Sequence, residues 1–166
     1  AEVNLDQIVE LIFTFVRRFF KGRPGGQVAV VVATLDLVRK FHKLLEGEFP
    51  DRAVGNFTSI VSDIDKRMKE LEKDIILTTE KSFREGEDTD VELIINTVPM
   101  SSEPALEQFV GRLRGGEGRK AVYLDITDIG FPKARKQFNV RKNFFTKGLK
   151  TIKTCKIIDL TGAADE

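Results

Sequence analysis

The run Gln27-Val-Ala-Val-Val-Val-Ala33 constrains this chain more than any other stretch. Its apolar residues fall on both sides of the two-residue strand period. A strand of that kind is buried on both faces, the condition of a parallel sheet covered by helices. Further strand-like runs follow at Ala53–Thr58, Asp74–Thr78, Val91–Asn96, Lys120–Ile126 and Thr154–Leu160. Helical patterns alternate with them. The order predicts an α/β fold, a three-layer αβα domain with a mostly parallel central sheet of about six strands.

The helical segments carry their own punctuation. Asn4 can cap a first helix in which Leu5, Ile8, Val9, Ile12, Phe15, Val16, Phe19 and Phe20 recur at helical spacing, and Gly22 and Pro24 stop it. Such a Phe-rich stripe is ordinarily core, not a membrane or partner-helix face. Thr34 caps a helix with Leu37, Val38, Phe41, Leu44 and Leu45 inward, ended by Gly47 and Pro50. Ser62 with Asp65 opens a charged helix whose inner face is Ile64, Met68 and Leu71. Ser101 or Ser102 caps another, with Pro104 in its first turn. Pro132 starts a long basic helix running to about Leu149, with Ala134, Phe138, Phe145 and Leu149 on one side. Residues 1–161 read as one domain and 162–166 as a frayed tail.

With 166 residues, 41% hydrophobic and 32% charged, the chain can bury a proper core. Cys155 is the only cysteine, which excludes an internal disulfide and a Cys-based zinc site; a buried strand thiol is its expected state. His42 is the only histidine, so neither a Ser-His-Asp triad nor a His-based metal site is expected, and His42 reads as a helix-surface residue. No metal ligand set is expected. No apolar run is long enough for a bilayer and no signal-peptide pattern opens the chain, so the expected setting is intracellular, reducing and off the membrane. Ala1 stands where an initiator Met would be, which suggests a piece of a longer protein. The formal charge of +1 hides an asymmetry. Glu85, Glu87, Asp88, Asp90 and Glu92 form an acidic patch. No acidic residue occurs between Phe131 and Ile158, where Lys133, Arg135, Lys136, Arg141, Lys142, Lys147, Lys150, Lys153 and Lys156 fall. That region calls for a polyanionic partner, and its basic helix could track a phosphate backbone or dock on another domain.

Chemistry concentrates between Asp74 and Arg114. An apolar strand ends in Thr78-Thr79, a loop carries Gly86-x-Asp88, a second strand follows, and a helix then carries Gln108, Gly111, Arg112 and Arg114. This order predicts polar groups at the carboxyl ends of neighbouring strands, where open α/β sheets bind ligands. Thr79-Glu80-Lys81 with Gly86 and Asp88 resembles motif V, T-E-K…G-x-D, of superfamily 2 helicases and translocases. Gln108-Phe109-Val110-Gly111-Arg112 resembles the start of their motif VI, Q-x-x-G-R-x-x-R. Both motifs belong to the second, C-terminal RecA-like domain. The second arginine of motif VI falls on Gly115; Arg114 comes one place early, and Arg119 follows the glycine turn.

The resemblance implies a RecA-like lobe of an ATP-dependent helicase. Arg112 would be its arginine finger on the γ-phosphate, with Arg114 the second catalytic candidate. Gly86, Asp88, Gln108 and Gly111 would face the nucleotide. Thr34, Thr78, Thr79 and Lys81 would meet nucleic-acid phosphates, and Thr58 and Ser59 end a strand where they could join them. Hydroxyls and backbone N–H groups at strand ends suit phosphate oxygens, although Thr34 is also a good helix cap. The chain has no G-x-x-x-x-G-K-[ST] loop and no D-E-x-[DH] run. Alone it is expected not to hydrolyse ATP; an N-terminal RecA-like lobe would hold most of the ATP and Mg²⁺. Gln108 at the head of motif VI resembles DNA helicases more than RNA helicases, and the T-E-K form with the basic tail resembles viral and phage members. Two further readings share the fold: a stand-alone nucleic-acid-binding module, and a degenerate interaction scaffold.

Overall fold

A computed structural model describes residues 2–85, 90–115, 118–127 and 131–148, without the side chains of 2–4, 85 and 148. The elements in chain order are α1 (Glu2–Gly22), β1 (Val28–Val32), α2 (Leu35–Glu48), β2 (Val54–Phe57), α3 (Ile64–Glu70), β3 (Ile75–Thr79), α4 (Glu80–Glu85), β4 (Leu93–Asn96), α5 (Glu103–Gly111), β5 (Val122–Asp125) and α6 (Pro132–Gly148). The five described strands pair in parallel, in the order β2-β3-β1-β4-β5. The expected sixth strand, Thr154–Leu160, Cys155 within it and the tail lie outside the described residues.

β1 sits in the middle and is buried at every residue. Its side chains alternate between two cores. Val28, Val30 and Val32 face α1 and α2, where Ile12, Val16, Phe20, Val38, Phe41 and Leu45 close over them. Ala29 and Val31 face Phe83 of α4, Leu106 and Phe109 of α5, and Phe145 of α6. Burying each large apolar side chain contributes about 1.5–3 kcal/mol. The α1 stripe is therefore core, as its period predicted.

Several local expectations need correction. Thr34 does cap α2, its Oγ1 accepting from the Leu37 N–H at 3.2 Å. However, α2 runs through Gly47 to Glu48, and Leu44 is 37% exposed. His42 is half-buried: its Nδ1 lies 2.7 Å from Asn56 Oδ1 on β2, and Nε2 is 3.1 Å from Glu46. Asp63, not Ser62, caps α3, accepting from the N–H groups of Asp65 and Lys66. α3 turns Ile64 and Met68 outward, leaving Leu71 to pack inward. The segment after Thr79, expected as a loop, begins with the short helix α4, which drives Phe83 into the core against Phe109. Ser102 is the cap of α5.

Candidate functional site

The polar residues of the 74–114 stretch do not converge on one edge of the sheet. They divide between its two ends, about 16 Å apart for a five-residue strand.

At the carboxyl end, the chain leaves β1, β2, β3 and β4 around an open cleft of ≈ 320 Å³. Its walls include Thr34 and Leu35 after β1, Ser59 after β2, Thr79 to Ser82 at β3, and Val98 after β4. The chain leaves β1 toward one side of the sheet and β4 toward the other, so the cleft lies at the switch point where doubly wound sheets take ligands. Thr34 and Lys81 are exposed. Thr79 is half-buried, and its Oγ1 accepts from the Ser82 N–H at 3.3 Å, starting α4. These groups form a hydroxyl-rich wall with one lysine, Lys81, and one carboxylate, Glu80, which pairs with Arg84 at 3.8 Å.

Two predicted contact residues are withdrawn from that wall. Thr58 is fully buried, and its Oγ1 accepts from the Ile60 N–H. Thr78 is also fully buried, its hydroxyl donating to the Phe57 carbonyl at 2.8 Å across the β2–β3 pair. Both hydroxyls serve the fold. Strand alternation accounts for the Thr78–Thr79 difference, since neighbouring residues point to opposite faces.

At the amino end, α5 returns beside the start of β4. The Val91 N–H donates to the Arg112 carbonyl and the Arg114 N–H to the Val91 carbonyl, both at 2.9 Å. Arg112 caps the end of α5, and its guanidinium donates to the Arg84 carbonyl at 2.8 Å. Arg114 is exposed, with its Nε 3.9 Å from Asp90. Gln108 is exposed on α5. A Cβ at Gly111 would meet open space, so this glycine is not required by the chain's own packing. Gly115 differs: a Cβ there would lie 1.9 Å from the Arg119 carbonyl oxygen. No side chain fits at the position where motif VI has its second arginine. Arg119 instead pairs with Glu92 at 3.1 Å. Glu92 is buried, so it does not belong to the exposed acidic patch. Gly86, Glu87 and Asp88 lie outside the described residues.

Reasoning from the sequence missed one cluster. Arg141 of α6 was counted among the basic residues facing a partner, yet it is 1% exposed. Its guanidinium grips both Asp125 oxygens, at 2.7 and 3.0 Å, and donates to the Met100 carbonyl and to Thr127. Asp125 also accepts from Tyr123, whose hydroxyl in turn accepts from Asn96 at 3.0 Å. Burial first, then the Asp125 charge, pushes the Tyr123 pKa well above its ordinary 10.0. One signal was available: Arg141 shares a helical face with Phe138 and Phe145, three before and four after it.

Among the described residues, no group of His, Cys, Asp and Glu is arranged to hold a metal ion, and no helix is long and apolar enough to cross a membrane.

No protein-family model and no curated protein sequence matches the chain. Solved structures do match. The C-terminal domain of the DEAD-box protein Dbp5 superposes with a TM-score of 0.59 at 14% identity, covering 78% of this chain and 77% of that one. Domain 2 of the DEAD-box helicase Mss116p, bound to an RNA duplex, gives 0.59 at 19% identity over 79% of this chain and 55% of that one. The DUF1998 helicase MrfA, bound to DNA and AMPPNP, gives 0.62 at 12% identity over 84% of this chain and 20% of that one. The chain thus spans most of an isolated domain and a minor part of a whole helicase such as MrfA. Its fold is the RecA-like αβα fold that these helicase domains share.

Proposed function

From a chain with the RecA-like fold of these helicase domains, we propose the second lobe of an ATP-dependent nucleic-acid helicase or translocase. The observation that carries this reading is the division of polar groups between two edges of one rigid sheet. The carboxyl-edge cleft, with Thr34, Thr79 and Lys81, takes nucleic-acid phosphates. The amino edge, with Gln108, Gly111, Arg112 and Arg114, faces a nucleotide held by an N-terminal lobe. Gly86 and Asp88 would sense the same nucleotide, by their resemblance to motif V.

The residues at the amino edge suit the outer half of a triphosphate site. They supply guanidinium donors and an open backbone at Gly111. ATP bound between two lobes would supply the phosphoryl group to be transferred. Arg112 would bind its terminal oxygens through a planar fork suited to phosphate, which requires its release from the Arg84 carbonyl. Arg114 is already exposed and would orient the same charge. The chain alone is inactive on this reading. DNA is the favoured substrate, on the glutamine that heads the motif, Gln108.

The test uses a protein with both lobes. Arg112→Ala should lower ATP turnover by about 10³-fold or more, as lost arginine fingers do, with nucleic-acid affinity retained. Unchanged turnover would remove Arg112 from catalysis. A binding module without ATPase coupling would show the same nucleic-acid affinity with and without AMPPNP.

A further inference from the structure

The helix α6 is not level with the sheet. Nine of its residues, Pro132 to Val140, precede Arg141, which anchors at the carboxyl edge through Asp125, Thr127 and the Met100 carbonyl. Beyond Arg141, Phe145 lies against Tyr123 with ring centroids 4.4 Å apart, two residues back along β5. The helix therefore runs antiparallel to β5. Its first half, roughly 13 Å at 1.5 Å per residue, leads outward past the carboxyl edge. β5 stands two strand spacings from β1, about 10 Å, so this overhang and the cleft share one edge.

Lys133, Arg135 and Lys136 are exposed on the overhang. Phe131 stands at its head, 60% exposed and joined to the first turn by the Arg135 N–H, which donates to the Phe131 carbonyl at 2.9 Å. No acidic residue occurs between Phe131 and Ile158, so the helix presents one sign of charge along its length. An exposed aromatic ring beside cations matches a single strand, whose phosphates meet the cations while a base stacks on the ring. We infer that Phe131, Lys133, Arg135 and Lys136 form a second contact for single-stranded nucleic acid, continuing the path that leaves the cleft. The inference rests on the nucleic-acid reading of the carboxyl edge and adds a single-strand preference to it.

The test measures fluorescence anisotropy of a labelled oligo-dT and of a duplex, with the full 166-residue chain across a salt series. Phe131→Ala should weaken single-strand binding about ten-fold, the scale of one lost base stack, and leave duplex binding unchanged. Lys133→Glu with Lys136→Glu should flatten the log–log salt slope by about 1.4, two phosphates at roughly 0.7 each on a single strand. Lys81→Glu probes the cleft separately. If Lys81→Glu weakens binding while the α6 variants bind as the unmodified chain does, the second contact is overturned and the cleft stands. If only the α6 variants weaken binding, the second contact stands and the cleft assignment falls. Equal losses on both substrates from Phe131→Ala overturn stacking. Loss of binding to poly-glutamate in the α6 variants, with oligonucleotide affinity kept, assigns the face to an acidic protein and overturns the inference. No binding by the unmodified chain at low salt overturns both.

Discussion

Thr78 and Thr79 are adjacent and chemically identical, yet the fold gives them different work. The Thr78 hydroxyl holds the Phe57 carbonyl inside the sheet, while Thr79 borders the cleft. Thr78→Val keeps the shape and removes that hydrogen bond, a loss of about 0.5–1.5 kcal/mol in urea unfolding, with nucleic-acid affinity unchanged. Thr79→Val should barely move stability and should weaken nucleic-acid binding. The reverse pattern would exchange their roles. Tyr123 is the only tyrosine, so ultraviolet titration reads it directly. Its raised pKa means the unfolded chain ionises first, near pH 10.0. Its contribution to stability is complete below that pH and is lost as pH rises through the folded value. Tyr123→Phe should therefore give a flatter stability curve above pH 10.0 than the unmodified chain. Equal slopes would assign alkaline loss to other groups.

Among the elements, the two glycines around the end of α5 separate packing from function. Gly111→Ala meets no neighbour within the chain and replaces the helix's last residue with a better helix former. It should stabilise the isolated chain by about 0.5–1 kcal/mol. If Gly111 is present so that a nucleotide can approach, the same change should lower turnover in a two-lobe protein. Gly115→Ala should instead destabilise the chain, because its Cβ would strike the Arg119 backbone at 1.9 Å. Thermal midpoints of the two variants test this pair; a Gly115→Ala midpoint at or above the unmodified value would contradict the contact. Position 115, where the resemblance to motif VI would put a second arginine, thus has no room for a side chain. Periodicity revealed α1, α2 and the strands, because their apolar spacing is long and regular. It missed α4, six residues in which Phe83 alone is the buried anchor. It also misjudged α3, whose Ile64 and Met68 follow the helical period but meet no covering layer.

At the scale of the whole molecule, the parallel character of the sheet was readable, because strands buried on both faces leave continuous apolar runs, while the strand order was not. The candidate residues were chosen by type, spacing and resemblance to motifs V and VI. Their division between two edges was not readable, since it depends on α5 turning back beside Val91. Nor was the burial of Arg141, which needs Asp125 and the Met100 carbonyl brought to it by separate strands.

The distance between the edges has a mechanical consequence. β1, buried at every residue, joins the amino edge to the carboxyl edge without a polar seam. Close-packed interiors of this kind transmit strain and do not absorb it. The sheet is then a stiff lever with an arm of about 16 Å. A rotation of roughly 15°, the size seen when subunits reorient, sweeps the far edge through about 4 Å. On the proposed two-lobe reading, the stride of a nucleic acid held at that edge would scale with strand length, one pleat more lengthening it in proportion.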